Sequence, residues 1–238
     1  MKQRRFQFSN LGITRGALIV LGLELGVSLI WLLSKQDARA TIAEWALAFP
    51  SNVFEHGRVW TLLTSPLLET SFISLLMLGF VMFMFIPTLE RFWGTARFVR
   101  FVIFTSLAGT VCGTLVGWLL GTDYPIAGLS PFLYASFVAF GIVYAKQPVQ
   151  FFGVLPLTGR QLMYGIIAFL TLYVVLQQLW AQGAAFAGAM AVSALMVSKF
   201  SPGLMWKKWR IQRARAKLTV MQGGVTSKKR PDEQKYLN

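Results

Sequence analysis

The chain is poor in the residues that soluble enzymes use for chemistry. Its 238 residues include one cysteine, one histidine and nine acidic residues, and only 13% are charged. The lone Cys112 excludes an internal disulfide and any cysteine-based metal cluster. It falls inside an apolar segment, where packing is its expected role. The lone His56 leaves a single side chain able to act as an ordinary general base near neutral pH. No metal and no cofactor is expected.

Apolar surface is what the chain has in quantity: 55% of its residues are hydrophobic and its mean hydropathy is +0.56. Those values lie far from a soluble average and identify a membrane protein. An α-helix needs about 20 apolar residues to cross roughly 30 Å of hydrocarbon. Six segments approach that length: 16–33, 67–86, 101–120, 124–145, 161–180 and 181–198. The last two are nearly continuous and are divided at "QQLWAQG", where three amides and a glycine interrupt a run too long for one crossing.

The basic residues test that count, because lysine and arginine gather on the cytoplasmic side of short loops. With six spans and both termini cytoplasmic, 20 of the 23 lie inside, and only Lys35, Arg39 and Arg58 lie outside. The net charge of +14 is then a topology signal and calls for no nucleic-acid partner. The expected organisation is a basic cytoplasmic stretch over 1–15, a six-helix membrane domain over 16–198 with an external loop at 34–66, and a basic tail over 199–238. The first apolar stretch has no small-residue cleavage site at its end and reads as a retained helix. In the tail, "WKKWRIQRARAKLTV" suits an interfacial helix over anionic lipid, and the closing "GGVTSKKRPDEQKYLN" is polar enough to stay disordered.

The long external loop contains "TIAEWALAFPSNVF", too short to span but amphipathic enough to lie at the interface with Trp45 and Phe49 at headgroup depth. Gly109, Gly113 and Gly117 recur every four residues in the third segment, which lets another helix approach closely. Gly183, Ala187 and Ala191 form a similar stripe in the sixth.

Four motifs occur in an order that resembles the rhomboid superfamily of intramembrane proteases. "GRVWTLLTS" (57–65) is similar to the family's external-loop motif. "PTLERFWGTARF" (87–98) is similar to the motif that ends helix two, with Glu90 and Gly94 in the expected places. "GLSPFLYA" (128–135) resembles the G-x-S-G at the start of helix four, with Gly128, Ser130 and the later Tyr134. "QGAAFAG" (182–188), ending at Gly188, resembles the start of helix six.

The resemblance implies a six-helix fold and, in active members, a serine nucleophile, a helix-six histidine as base and helix-two polar groups that hold the oxyanion. Ser130 occupies the nucleophile position. The histidine position falls on Ala185, or on Gln182 if the register slips by three. The helix-two pair falls on Ser74 and Leu78, and Pro131 replaces the glycine after the serine.

A serine hydroxyl attacks slowly until a positioned base takes its proton. A general base contributes roughly 10²- to 10⁴-fold, and one oxyanion donor roughly another 10²- to 10³-fold. Ser74 can donate one hydrogen bond and Leu78 none, while His56 precedes helix two in a loop whose neighbours suit a structural position. The reading leans against catalysis. "SP" at 130–131 also has a structural account, a serine N-cap followed by proline in the first turn.

Two carboxylates lie in apolar segments, where a charge costs about 2.5–3.5 kcal/mol on insertion scales. Glu69 is expected near the external surface and hydrated. Glu24, midway along the first segment, has two readings: a neutral, hydrogen-bonded group facing another helix, or a partner-binding or proton-handling residue.

The preferred expectation is an inactive rhomboid-like protein that binds lipids and transmembrane clients near Arg58, Trp60, Ser74 and Tyr134, in a bacterial inner membrane. An organellar or endoplasmic reticulum membrane is the alternative location. The alternatives in function are an active serine protease using Ser130 and a small transporter using Glu24. The absence of an internal repeat stands against the transporter.

Overall fold

A computed structural model describes residues 12–151 and 155–198. The expected basic ends, apart from the few residues before α1, lie outside the described residues. The order of elements is α1 (Arg15–Leu33), α2 (Gln36–Ala46), α3 (Pro50–Phe54), α4 (Thr61–Thr64), a 3-10 turn (Ser65–Leu67), α5 (Phe72–Met84), α6 (Ile86–Trp93), α7 (Thr95–Leu119), α8 (Ser130–Val143), β1 (Pro148–Phe151), β2 (Leu155–Thr158), α9 (Gly159–Gln177) and α10 (Trp180–Val197). The strands pair antiparallel, Pro148 opposite Thr158 through Phe151 opposite Leu155. That hairpin corrects the all-helical expectation. Strand residues are few there and the connection is short, so the apolar pattern carries little sign of it.

Among the described residues, four helices are long and apolar enough to cross a membrane: α1, α7, α9 and α10. A fifth span is possible if Thr61–Leu67 and Phe72–Phe83, bent by 79° at a short break, count as one crossing. Four or five of the expected six spans are thus present by length and composition. The shortfall falls on the segment at 124–145, where only the 14 residues of Ser130–Val143 are helical. Gly128 turns the chain with φ of 75°, a conformation open to glycine, and the helix begins only after it. Nine residues of α8 are buried, from Pro131 and Phe132 to Phe140 and Gly141. A helix enclosed by protein does not need the length that lipid contact demands.

The second expected segment is also divided. Its helix starts at Phe72 rather than 67, breaks at Phe85, and resumes as α6 with Pro87 in its first turn. Proline supplies no N–H there, where none is needed. The third is longer than its apolar run, because α7 carries Arg97 and Arg100 in its opening turns. The fifth and sixth part inside "QQLWAQG", where Gln178 takes a left-handed φ of 54° between α9 and α10.

The core sits around α8, where Phe132, Phe98, Phe101, Met82 and Leu89 are fully or almost fully buried. Phe132 meets Phe98 and Phe101 edge to face, and Phe85 meets Phe137 and Phe140 in the same way. Leu18, Ile19 and Ile30 of α1, Ile73 and Leu76 of α5, and Phe169 and Leu176 of α9 stay exposed, as a lipid-facing surface requires.

The glycine stripe of α7 does what its spacing predicts. A Cβ on Gly109 would strike Pro131, and one on Gly113 would lie 2.9 Å from the Ala185 Cβ and the Ile126 side chain. The stripe on α10 differs from expectation. Gly183 faces Val174 of α9, whereas the residues that approach α7 are Ala181, Ala185 and Gly188. Gly188 abuts Cys112, which gives that cysteine the packing role expected of it.

Candidate functional site

The external loop is fastened by its own motif. Arg58 donates from Nη2 to Glu44 Oε1 at 2.8 Å and from Nη1 to the Glu44 carbonyl at 3.0 Å, and it lies 4.7 Å from the Trp45 ring centroid. Trp60 stacks on Trp45 at 6.0 Å and donates from Nε1 to its carbonyl at 3.1 Å. Thr64 donates to Ala46 at 2.9 Å. Both expected binding residues, Arg58 and Trp60, thus hold α2 against the α4 turn. Trp45 remains 55% exposed, in keeping with an interfacial loop.

The loop is tied in turn to the segment before α8. Ser51 donates from its N–H and hydroxyl to Asp123 at 3.0 and 2.8 Å. The Ile126 N–H reaches the Ala48 carbonyl at 3.1 Å, and the Gly128 N–H reaches the Ser65 carbonyl at 3.0 Å. The Ser65 hydroxyl donates to the Ile126 carbonyl. These bonds fix the chain that delivers Ser130.

Around Ser130 lies a cavity of about 310 Å³ whose walls include Glu69, Ser74, Ser130, Tyr134, Tyr173, Gln182 and Ala185. The structure therefore brings the expected positions Ser130, Ser74, Tyr134 and Ala185 together. Leu78 is not among them; it is 2% exposed within the core. Tyr134 leans on Phe186 of α10, centroids 4.8 Å apart. Ser130 is the first helical residue rather than the N-cap, a position held by Leu129, whose carbonyl receives the Leu133 N–H at 2.9 Å. The turn at Gly128 displaces the cap by one residue. The Ser130 hydroxyl makes no hydrogen bond among the described residues.

His56 does not reach the cavity. Its Nδ1 lies 3.3 Å from the Ser51 carbonyl on the exposed loop, and it is absent from the lining.

The two intramembrane carboxylates depart most from expectation. Glu69 is buried at 6% exposure and reaches the outside through the cavity it lines. Its backbone N–H donates to Ser28 Oγ at 2.9 Å. The Thr70 and Ser71 N–H groups lie in reach of its carboxylate, which presses so closely on Gly128 that a Cβ there would collide with it. The break between the 3-10 turn and α5 carries this carboxylate inward. Glu24 is fully buried, and neither carboxylate oxygen has a hydrogen-bond partner among the described residues. The two carboxyls are close enough to interact electrostatically. Ser28 follows Glu24 by four residues and so shares its helix face. That spacing was the sequence signal for a polar stripe running from Glu24 to Glu69.

Glu90 and Gly94 are structural. Glu90 is 3% exposed and accepts from Thr14 Oγ1 at 2.5 Å, Gly16 N at 2.8 Å, Ala17 N at 2.8 Å and Thr95 Oγ1 at 2.7 Å. A carboxylate from α6 thus caps the start of α1, taking two N–H groups that have no partner within the helix. Burial alone would raise its pKa, but these four hydrogen bonds outweigh burial and hold the carboxyl below its usual range. Gly94, with φ of 80°, separates α6 from α7 so that Thr95 can reach Glu90.

Among the described residues, no group of three or more histidine, cysteine or carboxylate side chains is placed to hold a metal ion. A family model described as Eukaryotic integral membrane protein (DUF1751) matches residues 17–198. A eukaryotic family argues against the bacterial inner membrane expected from the sequence. No curated protein matches the chain.

Proposed function

The chain belongs to the DUF1751 family of eukaryotic integral membrane proteins, and from that premise we propose a non-proteolytic, rhomboid-like scaffold that binds other transmembrane proteins. One observation carries the reading. The cavity holding Ser130 is walled by Glu69, Ser74, Tyr134, Tyr173, Gln182 and Ala185, and neither histidine nor lysine lines it. A hydroxyl there lacks the histidine or lysine that ordinarily takes a serine's proton, and the cavity keeps convergent polar groups of the kind that orient a bound segment.

Access is lateral. α5 and α9 each pack on α8, and the cavity takes Ser74 from one and Tyr173 from the other. A client helix enters between them, with its polar or irregular portion at Ser130 and Tyr134. The topology has six crossings, with the enclosed α8 as the fourth and both termini cytoplasmic. The membrane is an internal one of the eukaryotic cell, an organellar membrane or the endoplasmic reticulum.

The test is in two parts. A fluorophosphonate probe added to the purified protein should give no labelling that depends on Ser130; labelling that vanishes in Ser130→Ala would assign an active serine hydrolase instead. A photocrosslinker at position 134 should capture transmembrane segments, whereas capture of lipid alone would count against client binding.

A further inference from the structure

The cavity around Ser130 holds a carboxylate and, among the described residues, no cationic side chain. Among the described residues Glu69 is the single carboxylate in its wall, and no lysine, arginine or histidine lines it. The other groups there are hydroxyls from Thr70, Ser71, Ser74, Ser130, Tyr134 and Tyr173 and the Gln182 amide, which serve a cation as hydrogen-bond acceptors. Glu24 is fully buried and close enough to Glu69 to interact with it. A cationic group beside a carboxylate favours its ionised form, so a basic side chain entering the cavity has Glu69 as a partner. The one ion pair among the described residues is Arg58 with Glu44, out on the loop, and none of the described cations lines the cavity.

Resting on the client-binding reading, we propose that this cavity recognises a basic side chain carried within a transmembrane segment of the client, with Glu69 as its counter-charge. A phospholipid headgroup fits less well. Its amine would come with a phosphate, and among the described residues the lining has no cation to receive one. A lysine or arginine in a membrane helix is costly unless it finds such a partner, so the same pairing that fills the cavity also selects the client.

The experiment uses the full chain in phosphatidylcholine nanodiscs. Three labelled transmembrane peptides, identical except for lysine, leucine or glutamate at one position near the external end, are compared by energy transfer. The lysine peptide should bind about tenfold more tightly than the leucine peptide, and the glutamate peptide more weakly than either. Glu69→Gln should bring the lysine peptide to the level of the leucine one.

Equal binding of lysine and leucine peptides to the unaltered protein would overturn the proposal while leaving client binding intact. A lysine preference that survives Glu69→Gln would overturn it too. Absence of binding by all three would overturn both readings. Loss of the preference when phosphatidylethanolamine is added would assign the cavity to a lipid amine.

Discussion

Single carboxylates carry unusual weight in a chain with so few. Glu90 satisfies the first turn of α1 from another helix, so Glu90→Ala leaves buried donors unpaired. The expected cost is about 3 kcal/mol, seen as a lower midpoint for thermal unfolding in detergent. The same contacts give a pH dependence. Burial opposes the ionised form, but the four hydrogen bonds favour it more, so the folded carboxyl is more acidic than the unfolded one. Its contribution is complete above the unfolded value and is lost as pH falls through the folded one. Unfolding midpoints measured down a pH series should show that loss, and Glu90→Gln should flatten it. Glu24 works in the opposite direction. Its buried oxygens have no partner, and an unsatisfied buried polar group costs about 1–3 kcal/mol. Glu24→Met, similar in length and free of that requirement, should raise the unfolding midpoint; a fall would show that Glu24 holds a partner the fold depends on.

At the scale of elements, the glycines divide by what faces them. Gly113 of α7 lies against Ala185 and Ile126, whereas Gly26 of α1 has nothing within 4 Å of where a Cβ would sit. Gly113→Ala should therefore destabilise by about 1–3 kcal/mol through overpacking. Gly26→Ala should be neutral or stabilise by up to about 1 kcal/mol through helix propensity. Denaturant titration of the two variants side by side checks both signs. The contrast also explains what could be read in advance. The i, i+4 glycines of α7 announced close packing because backbone approach leaves a spacing pattern. The stripe from Gly183 has the same pattern, yet it serves α9, because spacing names a face and not the neighbour that covers it. The lengths of α1, α9 and α10 followed from unbroken apolar runs. The division of the second segment and the short α8 did not, since they depend on Gly128, Pro87 and enclosure by other helices.

For the whole molecule, the grouping of Ser130, Ser74, Tyr134 and Ala185 in one cavity could be anticipated from motif order. The place of Glu69 could not, because a carboxylate near a helix end looks hydrated until a chain break turns it inward. Sidedness is open to direct measurement. Single cysteines placed at Asp37 and Asp123 should react with a membrane-impermeant thiol reagent from the same face, and one at Lys146 from the opposite face. Reaction of all three from one side would reject the six-crossing arrangement. The capping of α1 by Glu90 also bears on assembly. The partner for the first turn of α1 arrives more than seventy residues later, so a nascent chain shorter than that holds a first helix with a frayed start. Completion of that turn then records that α5 and α6 have been made and docked. Arrested chains ending before and after residue 90 should differ in proteolytic access to residues 12–17.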